Sequence, residues 1–276
     1  MGLMSTVEAR LRLWQLLSPA LPIGAYAYSR GLDYAVAAGW VCDEAGAAEW
    51  IGGQLRHTVQ GLDIPVFARL YRAWATGDSE GLERWNAFLL AARESAELKA
   101  EDRYLGAALA RLLRDLGIEE ARPWRHERLW GFAAPFALAT ERFGIALEEA
   151  ALGYAWVWCE QQVAAAVKLI SLGQTAGQRL LLGLGAMISA AVRARCALAD
   201  EDLGSGLGIA SARHETQLHA AVSILTAWIH PGDPILENRP SLPSNIAFGL
   251  GAVVLTACGT AVTVNPGFSP QAAGKN

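Results

Sequence analysis

The sequence predicts an all-α fold, a single-domain bundle of roughly eight to ten helices followed by an atypical C-terminal extension. Three observations carry this expectation. Apolar residues recur at three- and four-residue steps from residue 5 to about residue 200, with little strict alternation. Hydrophobic residues make up 53% of the 276 and charged residues only 18%, the balance of an ordered chain with a substantial core. The breaks between periodic stretches are short, as in a bundle of neighbouring helices.

Taken in order, MGLMSTVEARLRLWQLL is amphipathic, with Glu8 and two arginines, and lacks the unbroken apolar run of a secretory leader. A cytoplasmic location is the expectation. SPALPIGAYAYSRGLDYAV follows as a turn: Pro19 and Pro22 restrict the backbone, and Gly24 and Gly31 permit unusual conformations. Ile51, Leu55 and Val59 form one helical stripe, and Phe67, Leu70, Tyr71 and Trp74 another. TGDSEGLERWNAFLL reads as a loop entering a helix striped by Leu82, Trp85, Phe88 and Leu89. Leu105, Leu109, Leu112, Leu113 and Leu116 share one helix face. Gly144 punctuates the gap before Leu147 to Ile170, a segment apolar on nearly every face and therefore a central, buried helix. A second long helix is expected from about Thr175 to Ala199.

After Gln217 the composition changes. The last 59 residues hold only four charged groups, Asp233, Glu237, Arg239 and Lys275, but six of the eleven prolines. The expected organisation is a helical domain over 1–217 and a Pro/Gly-rich, apolar extension over 218–276. Ile246 to Val264 is an uncharged run of 19 residues, long enough to span a membrane. Its three glycines, three threonines and lack of basic flanks argue against a span.

Most chemistry can be tested on motifs. Net charge is −4 with no basic cluster, so neither nucleic acid nor an anionic membrane is the expected partner. No GxxxxGK[ST] phosphate loop occurs, and GSGLG (204–208) has the wrong spacing for a dinucleotide loop. AYSRG approaches a nucleophile elbow, but Ala27 replaces the first glycine and a Pro-rich turn, not a strand, precedes Ser29. Cys42, Cys159, Cys196 and Cys258 form no CxxC pair, and His214 and His219 are five residues apart where a helical metal pair needs four. No catalytic residue, cofactor or metal ligand set is expected.

Two further stretches are unusual. Arg93, Glu94, Glu97, Lys99, Glu101, Asp102 and Arg103 fall within eleven residues. Ordinary (i, i+4) pairing on a solvated helix face explains them best, and an acid–base enzyme using a carboxylate pair from this segment is the alternative. Lys168 lies within the apolar run VAAAVKLI, where a charge must be paired, solvated or snorkelled, and Gln161 lies seven residues earlier on nearly the same face. Ala164 to Ala166 would let another helix approach closely.

These stretches, in this order, resemble the urease accessory protein UreF family. The matching pieces are SPALPIGAYAYSRGLDYAVAAGWV, ARLYRAW, RWNAFLLAARESAELKAEDRYLGAALARLL, WCEQQVAAAVKLISLGQTAGQRLL and ASARHETQ, covering about residues 10 to 217. The resemblance implies an all-α, dimerising scaffold with no catalytic site. It would bind the accessory protein UreD (also called UreH) and recruit the GTPase UreG, for nickel delivery to the urease apoprotein. It further implies partner-contact roles for Tyr26, Tyr28, Ser29 and Gly31, for Lys168, and for Arg213, His214 and Glu215. For Gly31, backbone geometry alone is the competing explanation. The continuation beyond Gln217 departs from the family, which usually ends in a short aromatic and basic tail. A membrane-anchored adaptor, held through 246–264, is the remaining alternative.

Overall fold

The computed structural model describes residues 6–24, 29–93, 95–121, 130–198 and 203. Tyr26, Tyr28, Arg213, His214, Glu215 and the whole of 218–276 lie outside the described residues, as do Glu94 and Cys258. Within them the chain is all-α, as the periodicity requires. Nine α-helices and one π-helical segment run in the order α1 (Thr6–Leu17), α2 (Leu32–Ala37), α3 (Glu44–Gln54), the π segment (Leu55–Asp63), α4 (Ile64–Thr76), α5 (Ser79–Ala91), α6 (Ala96–Asp115), α7 (Ala133–Arg142), α8 (Leu147–Leu169) and α9 (Gln174–Arg195).

The helix starts follow local chemistry. Asp43, Asp78 and Ser95 each accept a hydrogen bond from the backbone N–H three residues on, capping α3, α5 and α6. Pro65 lies in the first turn of α4, which continues the π segment without a break, so its missing N–H removes one hydrogen bond from the winding at that junction. At the far end of the bundle, Arg72 donates to the Cys196 carbonyl at 2.9 Å and Arg69 to the Leu198 carbonyl at 2.7 Å. Two cations thus receive the carbonyls released by the C-terminus of α9.

The central helix is α8, in agreement with its all-round apolar sequence. It packs against α1, α2, α3, α4, α7 and α9. An aromatic core forms where α8 meets α4 and α7: Phe67 stacks on Tyr154 with ring centroids 4.9 Å apart, and Phe136 meets both Phe67 and Phe132. The Trp74 indole donates to the Ala134 carbonyl at 3.0 Å, so its one polar atom is satisfied inside that core. Helices α6 and α7 approach closely because residue 106 is glycine. A Cβ there would run into the Trp130 carbonyl and lie 2.8 Å from the Gly131 carbonyl carbon.

Some expected core positions differ. Leu105, Leu109 and Leu113 are buried, but Leu116 is 52% exposed, because α6 and its helical phase end at Asp115. Phe88 is partly exposed and packs edge-on against Trp85 instead of entering the core. Among the described residues α9 alone is long and apolar enough to cross a membrane, and its inner face is packed on α8. Cys159 and Cys196 are buried thiols and Cys42 is exposed.

Candidate functional site

The π segment prepares the site. Ile51, Leu55, Val59 and Asp63 repeat at steps of four, and an unbroken α-helix would carry Asp63 about 120° around from Ile51. Winding Leu55–Asp63 with wider i→i+5 turns, as in the Ile64 N–H to Val59 carbonyl bond, reduces that drift. All four residues are buried. The fourth is a carboxylate.

Asp63 meets its counter-ion across the bundle. Arg93 Nη2 donates to Asp63 Oδ1 at 2.7 Å, and Arg93 Nε donates to Asp102 Oδ2 at 2.8 Å. The second Asp102 oxygen accepts from the Phe132 backbone N–H at 2.9 Å, and the Tyr154 hydroxyl donates to Asp63 Oδ1 at 3.2 Å. Beside this cluster Arg30 Nε donates to Glu101 Oε1 at 3.1 Å. Asp63, Glu101 and Asp102 are all at most 3% exposed.

The solvated, outward-facing stripe expected for Glu97, Glu101 and Asp102 is therefore corrected. Glu101 and Asp102 are turned into the protein, and only neighbours such as Glu97 and Lys99 remain partly accessible. Composition could not separate the two arrangements, because the arginines that hold these carboxylates come from outside α6. Asp102 does not suit the acid role in the carboxylate-pair alternative. A general acid needs a carboxyl held above its ordinary range. Burial pushes Asp102 up, yet Arg93, Arg30 and the Phe132 N–H more than offset it, and the carboxylate lies below its usual range. Burial likewise works against the Arg93 guanidinium, but Asp102 and Asp63 reverse the balance and hold it well above its ordinary value. Burial, then Asp63, raises the Tyr154 phenol well above its usual range, so it serves as a fixed donor.

Over this cluster lies the turn from Ser29 to Asp33. Ser29 is buried, and its hydroxyl donates to Asp33 Oδ1. Arg30 and Gly31 both have left-handed backbones, with φ of 49° and 85°. Glycine accommodates that region freely, whereas for arginine it costs roughly 1–2 kcal/mol. Of the four early residues picked from sequence, the two described ones thus shape a turn and present little surface. Arg30, between them, carries the contact with the core.

Lys168 lies elsewhere. It is exposed in the last turn of α8, where a cation suits the helix dipole. No snorkelling is needed, because the packed part of α8 has ended, while Gln161 two turns back is 3% exposed. Both polar atoms of the fully buried Gln162 and Oδ2 of Asp63 have no hydrogen-bond partner among the described residues. No group of three or more metal-ligating side chains occurs among the described residues. His57 is exposed, and the other four histidines lie outside them.

Sequence reasoning missed Asp63, Tyr154 and Arg30, and placed Arg93 on a solvated helix face. The four-step run ending at Asp63 was one available signal, and Tyr154 within an otherwise apolar helix was another.

The described residues form a helical bundle organised around a buried ion-pair cluster, with its carboxylates held by arginines. A family model described as UreF matches residues 41–185. The urease accessory protein UreF of Alkalilimnicola ehrlichii is 52% identical over 212 residues, 76% of this chain and 93% of that protein. The UreF proteins of Chromohalobacter salexigens (48% over 208 residues, 74% and 90% covered) and Klebsiella pneumoniae (46% over 217 residues, 78% and 97%) are similar too. The chain belongs to the UreF family of urease accessory proteins.

Proposed function

We propose that this chain is a non-enzymatic scaffold in urease maturation. Acting as a homodimer in the cytoplasm, it binds UreD/UreH and with it recruits the GTPase UreG, so that nickel is inserted into the urease apoprotein. Influence on GTP hydrolysis by that partner is part of the same reading. The observation that carries it is the match to curated urease accessory proteins over at least nine-tenths of their length. The engagement of Glu101 and Asp102 by Arg30 and Arg93 supports a binding role over an acid–base one. Lys168 is the proposed exposed contact, with Tyr26, Tyr28, Arg213, His214 and Glu215 proposed from the family motifs. Ser29 and Gly31 contribute by shaping the turn.

The test is co-purification of the full chain with UreD/UreH and UreG, alongside a chain ended after Gln217, followed by nickel- and GTP-dependent urease activation. Both forms are expected to bind and to support activation. If both fail to bind, the scaffold reading loses its main support. Tight, stoichiometric nickel binding by histidines of the isolated chain would also count against it.

A further inference from the structure

We infer that the groove between α1 and α9 seats a second copy of this chain, held in register by reciprocal ion pairs between Arg10 and Glu149. This rests on the homodimer of the scaffold reading above, to which it assigns a face and a pairing rule.

Three observations carry it. The first is the groove itself. α1 and α9 each pack against α8. Between them lies an open groove of about 560 Å³, lined by Leu13 and Leu17 of α1, Leu152 and Trp156 of α8 and Ile188 of α9. That is the volume and lining of a site for large apolar groups. At Gly185, on the α9 side, nothing lies within 4 Å of the place a Cβ would occupy, so the space there is open.

The second is a ridge beside the groove. Val7, Leu11 and Trp14 follow one another at steps of four and three along α1, and each is more than half exposed. Ala9 and Leu16, on the opposite side of the same helix, are buried in the core. Glu8, Arg12 and Gln15 supply the polar face. α1 is thus apolar in two directions, and its own chain covers only one of them. Trp14 belongs to both the ridge and the groove, so the two features are neighbours on one surface. Such a surface is self-complementary: under a two-fold axis the ridge of each copy enters the groove of the other. A foreign partner would have to supply both shapes, whereas a second copy already carries them.

The third is charge. Arg10 and Glu149 also line the groove, and neither has an ion-pair partner among the described residues. A two-fold contact brings Arg10 of each copy to Glu149 of the partner subunit, so one operation pairs all four charges. The apolar groups supply the attraction and the ion pairs fix the register.

The test uses substitutions at positions that stay clear of the core. Leu11→Glu places a charge on the exposed ridge. Arg10→Glu and Glu149→Arg each set like charges against one another across the axis, and the double variant Arg10→Glu/Glu149→Arg restores opposite charges with their places exchanged. Full-length chains are compared by sedimentation velocity across a concentration series, with helical circular dichroism as the control for folding, and by capture of UreD/UreH.

The wild type is expected to be a dimer. Each single variant should weaken dimerisation by about tenfold or more at unchanged helical content, and the double variant should return to within about threefold of the wild type. A wild type that stays monomeric throughout the series overturns the inference. So does dimerisation untouched by Leu11→Glu, which would put the contact on another face. A double variant no tighter than its singles overturns the reciprocal pairing and the register with it. A monomeric wild type whose capture of UreD/UreH is lost in Leu11→Glu would give the groove to that partner instead. A wild type that dimerises as described but captures no UreD/UreH sinks the scaffold reading and leaves the dimer face standing.

Discussion

The Tyr154 hydroxyl donates to Asp63 Oδ1 at 3.2 Å, joining the middle of α8 to the last residue of the π segment. The same ring stacks on Phe67 at 4.9 Å. One side chain therefore belongs to both the aromatic core and the charge cluster, and the two stabilise the bundle jointly.

Their contributions separate by mutation. Tyr154→Phe keeps the stacking and loses one hydrogen bond, and is expected to cost about 1 kcal/mol. Arg93→Met strands Asp63 and Asp102 without their cation and should cost about 3–5 kcal/mol. Urea unfolding of the two variants measures both. Equal losses would mean that Arg93 is compensated by groups other than those two carboxylates.

Acid should weaken the fold through Asp102. Its carboxyl is held below the ordinary range in the folded protein, so its contribution is fully present above its unfolded value, about pH 4, and is lost as pH falls through the lower folded value. Urea midpoints between neutral and strongly acidic pH are expected to fall, with little dependence on salt because the pair is buried. Asp102→Asn should be less stable at pH 7 and show a shallower acid slope than the wild type.

Two glycines on helices give opposite outcomes. Gly106→Ala drives a methyl group into the Trp130 and Gly131 backbone and should destabilise by about 1–3 kcal/mol. Gly183, exposed in the interior of α9, has nothing within 4 Å of the place an alanine methyl would occupy, and Gly183→Ala should stabilise by up to about 1 kcal/mol. Thermal unfolding of the pair checks both signs.

Lys168 is exposed, so Lys168→Ala should leave thermal stability within about 0.5 kcal/mol of the wild type. Urease activation is expected to fall markedly. Unchanged activation by an equally stable variant would return Lys168 to the role of a helix-end charge.

Periodicity made the helices legible, since each apolar stripe records which face is buried. Leu82 and Leu89, Phe67 and Trp74, and the all-round apolar α8 occupy the places their spacing demands. The charge cluster was not legible from RESAELKAEDRYLG. Whether Glu101 faces water or the interior depends on Arg30, which is distant in sequence and enters through a left-handed turn that no helical pattern encodes. Leu116 marks the complementary failure, a correct phase carried one residue past the end of its helix.

The π segment makes chain length itself a determinant at one point. Ordinary winding over all nine residues would leave the hydrophobic content unaltered, yet it would rotate α3 by about 100° relative to α4 and draw Asp63 away from Arg93. Only with one residue fewer could a plain α-helix join the two in their present phase. The two helices are geared through nine residues, and the gear ratio is set by how many residues there are, whatever their side chains.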